Sequence, residues 1–265
     1  MAIIVFPGKG GVGKTSLSAL TIKYFSEKGE ATLALDLDPD SHLHKLLGVE
    51  LRKTIGQIGD EIHKEKKLGT SKPTDISDQE YFLTRLAEEV LVEGEDFDLI
   101  TLGKPSIDIS CYCPVFLWAN YSISQIMKSY SVTYNNIVVD CDPGTEIFPR
   151  KVLTALSNER EIDYILIVLD SSKMSLDTAK EIVNEVKRSD VKVKEIYGVC
   201  NRVDSKELQD KIKEVAKNNY GIQVVGFIPT DPKISMSSLS SQSLIKIRDS
   251  ISYKAVKDIL RRLNL

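Results

Sequence analysis

Eight consecutive residues constrain this chain more than any others: Gly8-Lys9-Gly10-Gly11-Val12-Gly13-Lys14-Thr15, which fit the pattern G-x-x-x-x-G-K-[ST] without a mismatch. The pattern works in one context only, with a strand running into the glycine turn and a helix opening at its far side. Both are present here. Residues 3–6 (Ile-Ile-Val-Phe) form an apolar, largely β-branched run, and residues 16–28 read as a helix. Glycines let backbone N–H groups turn inward around phosphate oxygens, and the helix N-terminus adds partial positive charge. Lys14 is placed to bridge β- and γ-phosphates, and the Thr15 hydroxyl to ligate Mg²⁺. Gly8 through Thr15, with Ser16 behind them, are the candidate phosphate contacts.

Further apolar runs at 31–35, 98–102, 137–139, 164–169, 196–199 and 223–228 alternate with helix-like stretches at 176–187 and 206–219. Nearly continuous apolar strands are buried on both faces. The alternation therefore predicts an α/β fold, a mostly parallel central sheet flanked by helices on both faces. No Pro/Gly/Ser linker divides the 265 residues, so one domain over 1–265 is expected. The polar stretch 51–95 is expected to be an insertion on the sheet, with helices at 54–61 and 79–90. The serine-rich stretch 235–243 is expected to be a loop, ahead of a last helix at 252–263.

Bulk properties exclude some classes of function. A net charge of −3 offers no general attraction to nucleic acid or an anionic membrane. No apolar run approaches the roughly 18–20 residues that span a bilayer, and residues 1–6 lack the basic start of a signal peptide. A cytoplasmic protein with no nucleic-acid or membrane partner is expected. There, its four cysteines are free thiols or metal ligands more readily than disulfides.

Lys9 adds a second cation to the loop. The form K-G-G-x-G-K-T resembles the deviant P-loop ATPases: MinD and ParA, the nitrogenase iron protein, the arsenite-pump ATPase and metal-insertion ATPases. The resemblance implies ATP hydrolysis in a nucleotide-sandwich homodimer, with Lys9 reaching the partner's phosphates as an arginine finger would. It implies that Asp38, in Leu35-Asp36-Leu37-Asp38-Pro39, orients the attacking water. It implies that Asp140, ending the run 137–139, holds the Mg²⁺ shell, and that Gly144 belongs to a switch sensing the γ-phosphate. Asn201 and Arg202 match the base-reading segment, and Pro229 and Asp231 the later loop that packs on the base. ATP is the expected nucleotide, although Asn201-Arg202-Val203-Asp204 comes close to the N-K-x-D pattern of guanine readers.

Cys111-Tyr112-Cys113 is the other informative feature. In an extended segment residues i and i+2 point the same way, and two thiolates on one face suit a soft metal without closing a tetrahedral site. A two-fold dimer would supply four sulfurs; two structural cysteines remain the plainer reading of the pair alone. The surrounding stretch, residues 97–105 with Gly103-Lys104-Pro105, resembles the CooC-type nickel-insertion ATPases that mature carbon monoxide dehydrogenase, over nearly the whole chain. That resemblance implies nickel, with zinc as a competitor, bound by Cys111 and Cys113 of both protomers, and carbon monoxide dehydrogenase as client. The chain departs from the family where Ser106-Ile107-Asp108-Ile109-Ser110 replaces glycines and an acid, and where Lys104 replaces an arginine. Cys141 and Cys200 are expected to be buried thiols. His42 and His44 form either an accessory metal pair or a polar helix surface. Two other functions compete: a MinD- or ParA-like positioning ATPase, whose basic, amphipathic 253–265 would meet a membrane, and an iron–sulfur carrier resembling the nitrogenase iron protein.

Overall fold

The computed structural model describes residues 1–66, 76–104, 113–130, 134–240 and 242–265. Eight strands are present among them: β1 (Ala2–Phe6), β2 (Thr32–Asp36), β3 (Val92–Glu93), β4 (Phe97–Thr101), β5 (Asn136–Asp140), β6 (Ile162–Leu169), β7 (Val193–Asn201) and β8 (Val224–Ile228). They form one sheet in the order β3-β4-β2-β5-β1-β6-β7-β8. All pairs are parallel except β3–β4. The sequence expectation of seven strands misses β3, whose two residues are too few to show a period.

Alternation along each strand builds two cores. Ile4 and Phe6 of β1 and Val138 of β5 face one side, with helices α1 (Lys14–Glu27) and α2 (Leu43–Leu47). Ile3 and Val5 of β1 and Ile137 and Val139 of β5 face the other. There lie α3 (Ile55–Lys66), α4 (Ile76–Arg85), α5 (Cys113–Tyr130), α6 (Val152–Glu159), α7 (Lys173–Arg188) and α8 (Lys206–Tyr220). Residues 17–25 of α1 are all buried, which makes it a core helix without a polar face. In the 51–95 stretch, Ile55, Ile58 and Ile62 fall on one helical face and enter the same core as the sheet. Phe82 of α4 meets Trp118 of α5, ring centroids 4.4 Å apart. Gly59 is required there, because a Cβ would stand 2.9 Å from the Trp118 ring. Arg85 ties the helices together through ion pairs with Glu61 and Glu89.

The expectation of a loop at 235–243 is wrong. α9 (Pro232–Ser240) covers most of it. Asp231 caps the helix: its carboxylate accepts from Lys233 N at 2.9 Å and its carbonyl from Ile234 N at 3.1 Å. Pro232 occupies the first turn, where its missing N–H costs nothing. The serines suggested a loop, but a hydroxyl is accommodated in a helix when it bonds back one turn, as Ser240 does to the Met236 carbonyl. The last helix, α10 (Ile251–Arg262), is capped by Ser250 and buries Val256, Ile259 and Leu260. Gly226 of β8 permits this close approach, since a Cβ would lie 2.3 Å from Ile259 Cγ1.

Candidate nucleotide site

β1 lies between β5 and β6, so the loop after Phe6 emerges at the carboxyl edge between two sets of strands, where open α/β sheets bind ligands. The loop is anchored through its backbone. Val168 N donates to the Pro7 carbonyl at 2.8 Å and Gly144 N to the Gly8 carbonyl at 3.0 Å. A Cβ on Gly8 would collide with the Val168 carbonyl at 2.4 Å. Gly13 caps α1 at φ 97°, a conformation that favours glycine, and packs on Asn201. Val12 is buried in the α1-side core and pins the middle of the loop. The loop borders a cleft of about 430 Å³ lined by Gly11, Gly13, Lys14, Thr15, Ser16, Asp38, His42, Lys45, Pro143 and Arg202. An apolar cavity of about 140 Å³ near Leu33, Leu86 and Ile126 offers leucine walls and no cation for a phosphate.

Strand register decides the acids. Asp36 of β2 pairs with Asp140 of β5, and Asp140 with Phe6 of β1. Two carboxylates on adjacent strands at one level therefore share a buried place. Burial, then the neighbouring Asp140, raises the Asp36 carboxyl well above its usual value. Burial likewise raises Asp140 against the opposing pull of Thr15 and Lys14. Ser18, one turn past Lys14, donates to Asp140 Oδ1 at 3.1 Å, while Oδ2 is buried without a hydrogen-bond partner among the described residues. An orphaned carboxylate oxygen near the Thr15 hydroxyl and the Lys14 ammonium suits the shell of a hydrated divalent cation. Asp36 has a different task. It accepts from Asp38 N at 3.2 Å and Leu43 N at 3.1 Å, and so holds the turn that carries Asp38 to the cleft.

The two lysines of the loop are placed differently. Lys14 is buried and donates to the Lys9 carbonyl at 3.3 Å. Lys9 turns to its own chain: Nζ lies 3.2 Å from Asp170 Oδ2 and 3.4 Å from Ser172 Oγ. Burial opposes ionisation of Asp170, but hydrogen bonds from Ser172 and then Lys9 outweigh it and hold this carboxyl below its usual value. Asp170, Ser172, Ser18 and Asp36 join the site without a role in any of the motifs that mark it in the sequence. A signal existed for two of them: Asp170 ends an apolar strand as Asp140 does, and Ser18 lies one turn beyond Lys14 on α1.

The expected base readers are only partly gathered at the cleft. Asn201 is buried and donates to the Val12 carbonyl at 2.8 Å; Arg202, at φ 60°, donates to the Gly11 carbonyl at 3.3 Å. Both therefore support the loop from the end of β7. The Pro229 carbonyl accepts from Ser252 Oγ at 2.9 Å. Asp231 is held by Ser250 and Ser252 of α10 as well as by Lys233, which gives its carboxylate a structural task. Asp204, the residue that made the segment resemble a guanine reader, has both oxygens engaged by Thr230, each at 2.8 Å.

Of the cysteines, Cys111 lies outside the described residues, and Cys113 opens α5. Lys104 forms an ion pair with Asp40 beyond β2. Cys141 and Cys200 are buried; burial raises both thiols, Cys200 to about 12. His42 borders the cleft, while His44 is half-buried and lowered by that burial. Among the described residues no group of three or more His, Cys, Asp or Glu side chains is placed to hold a metal ion.

Residues 3–244 match the CobQ/CobB/MinD/ParA nucleotide binding domain. The chain is 33% identical over 262 residues, 98% of each chain, to an uncharacterized ATP-binding protein of Methanocaldococcus jannaschii. It is 24% identical to the carbon monoxide dehydrogenase accessory protein CooC of Rhodospirillum rubrum, over 95% of this chain and 92% of that one. Its fold is similar to that of a ParA family ATPase from Chlorobium tepidum, with a TM-score of 0.69, 21% identity, and 98% and 97% of the two chains covered. With residues 3–244 matched by the family's model, the chain belongs to the CobQ/CobB/MinD/ParA nucleotide-binding family as an ATPase of the MinD/ParA type.

Proposed function

We propose that this ATPase is a dimeric metallochaperone, which takes up nickel through Cys111 and Cys113 of both protomers and passes it to a carbon monoxide dehydrogenase on ATP binding and hydrolysis. The observation that carries the reading is placement. Cys113 opens α5, and Asn120 of that helix donates to the Arg150 carbonyl at 2.9 Å, just beyond the segment that follows Asp140. A metal held at the start of α5 would lie on an element packed beside the phosphate site. The similarity to CooC along nearly the whole chain supports the same reading.

In the ATPase cycle, water adds to the γ-phosphorus and the bond to the β–γ bridging oxygen breaks, leaving ADP and phosphate. Asp38 orients the water, and Lys14 with the loop N–H groups holds the β- and γ-oxygens. Lys9, released from Asp170, reaches the partner's phosphates. Thr15 and Asp140 would hold Mg²⁺, which supplies charge neutralisation on the phosphate oxygens when bound. Engagement of Asp204 by Thr230 and the similarity to an ATP-binding protein both favour adenine as the base.

Two thiolates per chain cannot complete a four-coordinate site, so metal affinity is expected to depend on dimer formation, at one metal per two chains. X-ray absorption of the loaded dimer should show metal–sulfur scattering. Full metal binding by Cys111→Ser/Cys113→Ser would overturn the reading. The positioning-ATPase alternative needs a free amphipathic C-terminal helix, but the apolar side of α10 is packed into the α1-side core. Tyr24 and Tyr164 also hold the Leu265 and Leu263 carbonyls, each at 2.8 Å. An anaerobically purified protein with the absorption of an iron–sulfur cluster would favour the carrier alternative.

A further inference from the structure

Arg150 lies in the turn between the segment 141–144 and α6 and touches both neighbours of that turn. Its Nη1 is 3.2 Å from Asp142 Oδ2. Its guanidinium stands over the Phe116 ring, 4.2 Å from the centroid. Its backbone carbonyl accepts from Asn120 Nδ2. Phe116 and Asn120 are one turn apart on α5, so a single residue grips that helix at two successive turns. Its remaining guanidinium contact, Nη2 to Glu146 at 3.2 Å, is on an exposed carboxylate.

The arrangement is only half satisfied. Asp142 Oδ1 and Asn120 Oδ1 are both buried without a hydrogen-bond partner among the described residues. Buried polar atoms of this kind are costly and call for a reason, and a second arrangement in which they find partners is one. The upstream end has a trigger. Gly144 N donates to the Gly8 carbonyl, and Gly144 has open space around it at φ 81°. Pro143 lines the cleft, so a terminal phosphate there that recruited the Gly144 N–H would take it away from the loop and shift the segment that carries Asp142.

We propose that Arg150 is a positioning residue that couples occupancy of the γ-phosphate site to the placement of α5, through its ion pair with Asp142 and its stack on Phe116. The consequence for metal handling rests on the metallochaperone reading, because it runs through Cys113 at the head of α5. The coupling itself does not depend on it. Charge alone is insufficient: a lysine would keep the ion pair but lose the planar stack.

The chain supplies its own probe. Trp118, the one tryptophan of the sequence, is buried on α5 two residues from Phe116. Emission of the full-length protein is followed during titration with Mg²⁺ and a non-hydrolysable ATP analogue, and separately with MgADP. The expected result is a change with the triphosphate and none with MgADP. Arg150→Met, Arg150→Lys and Phe116→Leu should each shrink that change about fivefold, while Phe116→Tyr keeps it. Analogue affinity by calorimetry should stay within about twofold, as for a residue away from the ligand. A full response in Arg150→Met, or no response in the native chain, overturns the proposal. Should Arg150→Met fail to fold, the Phe116→Leu and Phe116→Tyr pair decides, with a response equal in both overturning it. Ni²⁺ affinity with and without analogue separates the two readings. A Trp118 response in a chain that binds no Ni²⁺ leaves the coupling and removes the metallochaperone; Ni²⁺ binding without a Trp118 response does the reverse.

Discussion

The phosphate loop and the segment beyond β5 stand side by side, yet they are held in opposite ways. The loop is fixed by main-chain hydrogen bonds from Val168 and Gly144, by glycines that leave no room for a Cβ, and by the buried Val12. Residues 141–150 share the Gly144 bond and close a turn from Phe148 N to the Thr145 carbonyl, but they are tied to α5 chiefly through Arg150, and at that junction Asp142 Oδ1 and Asn120 Oδ1 have no hydrogen-bond partner among the described residues. Main-chain anchoring gives a preorganised cradle that costs nothing to assemble when a phosphate arrives. Side-chain anchoring with unmet hydrogen bonds gives a part that can take a second position. Binding and response are thus divided between neighbours.

The largest effects are expected on the cradle. Lys14→Ala removes the cation at the β- and γ-phosphates and should weaken MgATP binding about 10²–10³-fold by calorimetry, in line with truncating a buried charge-assisted contact. Gly13→Ala should weaken it too, since a side chain is strained at φ 97° and meets Asn201. Near-native binding in Gly13→Ala would break the comparison at its rigid end.

Next come the acids to which the proposed cycle assigns the water and the Mg²⁺ shell. Asp38→Asn should still bind MgATP but hydrolyse it about 10²–10⁴-fold more slowly, the usual range for a positioned acid–base group, and should accumulate an ATP-bound dimer by light scattering. Asp140→Asn should instead weaken the Mg²⁺-dependent part of binding. If the two variants behave alike, the roles assigned to the ends of β2 and β5 are wrong.

A smaller effect on nucleotide binding is expected at Lys9. Lys9→Ala should leave monomer binding intact and remove hydrolysis. Asp170→Asn releases Lys9 from an ion pair whose side chains are 28% and 31% exposed. Such a pair is worth only about 0.2–1 kcal/mol. Two copies per dimer should then tighten analogue-dependent dimerisation about 2–30-fold, read by sedimentation. Unchanged dimerisation would show that the Lys9–Asp170 contact does not compete with assembly.

The smallest effect concerns the side-chain clamp of α3 and α4, far from the nucleotide. Hydrogen bonds from Arg85 and Lys53 hold Glu89 down to about 2 from an ordinary 4.5. A depressed carboxyl contributes stability that is present above its unfolded pKa and is lost as pH falls from about 4.5 through about 2. The stability difference between native chain and Arg85→Met, by urea unfolding, should therefore shrink across that interval. A difference that does not change with pH would mean that Arg85 acts by packing alone.

Much of the fold was legible because its signals are local. Seven of the eight strands are apolar runs, and the phosphate loop is a contiguous motif whose glycines answer to backbone geometry. Serine content masks α9, whose local signal is the Asp231-Pro232 start, and the two residues of β3 carry no period. Asn201 and Arg202, the expected base readers, brace the loop, a role that no spacing in the sequence displays. The Cys-x-Cys geometry rests partly on Cys111, outside the described residues.

Residue order alone was enough for the parallel α/β class, the position of the glycine loop between strand and helix, and the acid that ends β5, because each depends on neighbours within a strand–turn–helix unit. Folding in three dimensions was needed for everything that joins distant segments. The level at which Asp36 meets Asp140 follows from β2–β5 register. The pairing of Lys9 with Asp170 follows from β1 lying beside β6. The contact of Arg150 with Phe116 follows from α5 packing on α6. These are contacts between side chains far apart in the chain, and their distances are set by the sheet, whose strand order no local pattern encodes.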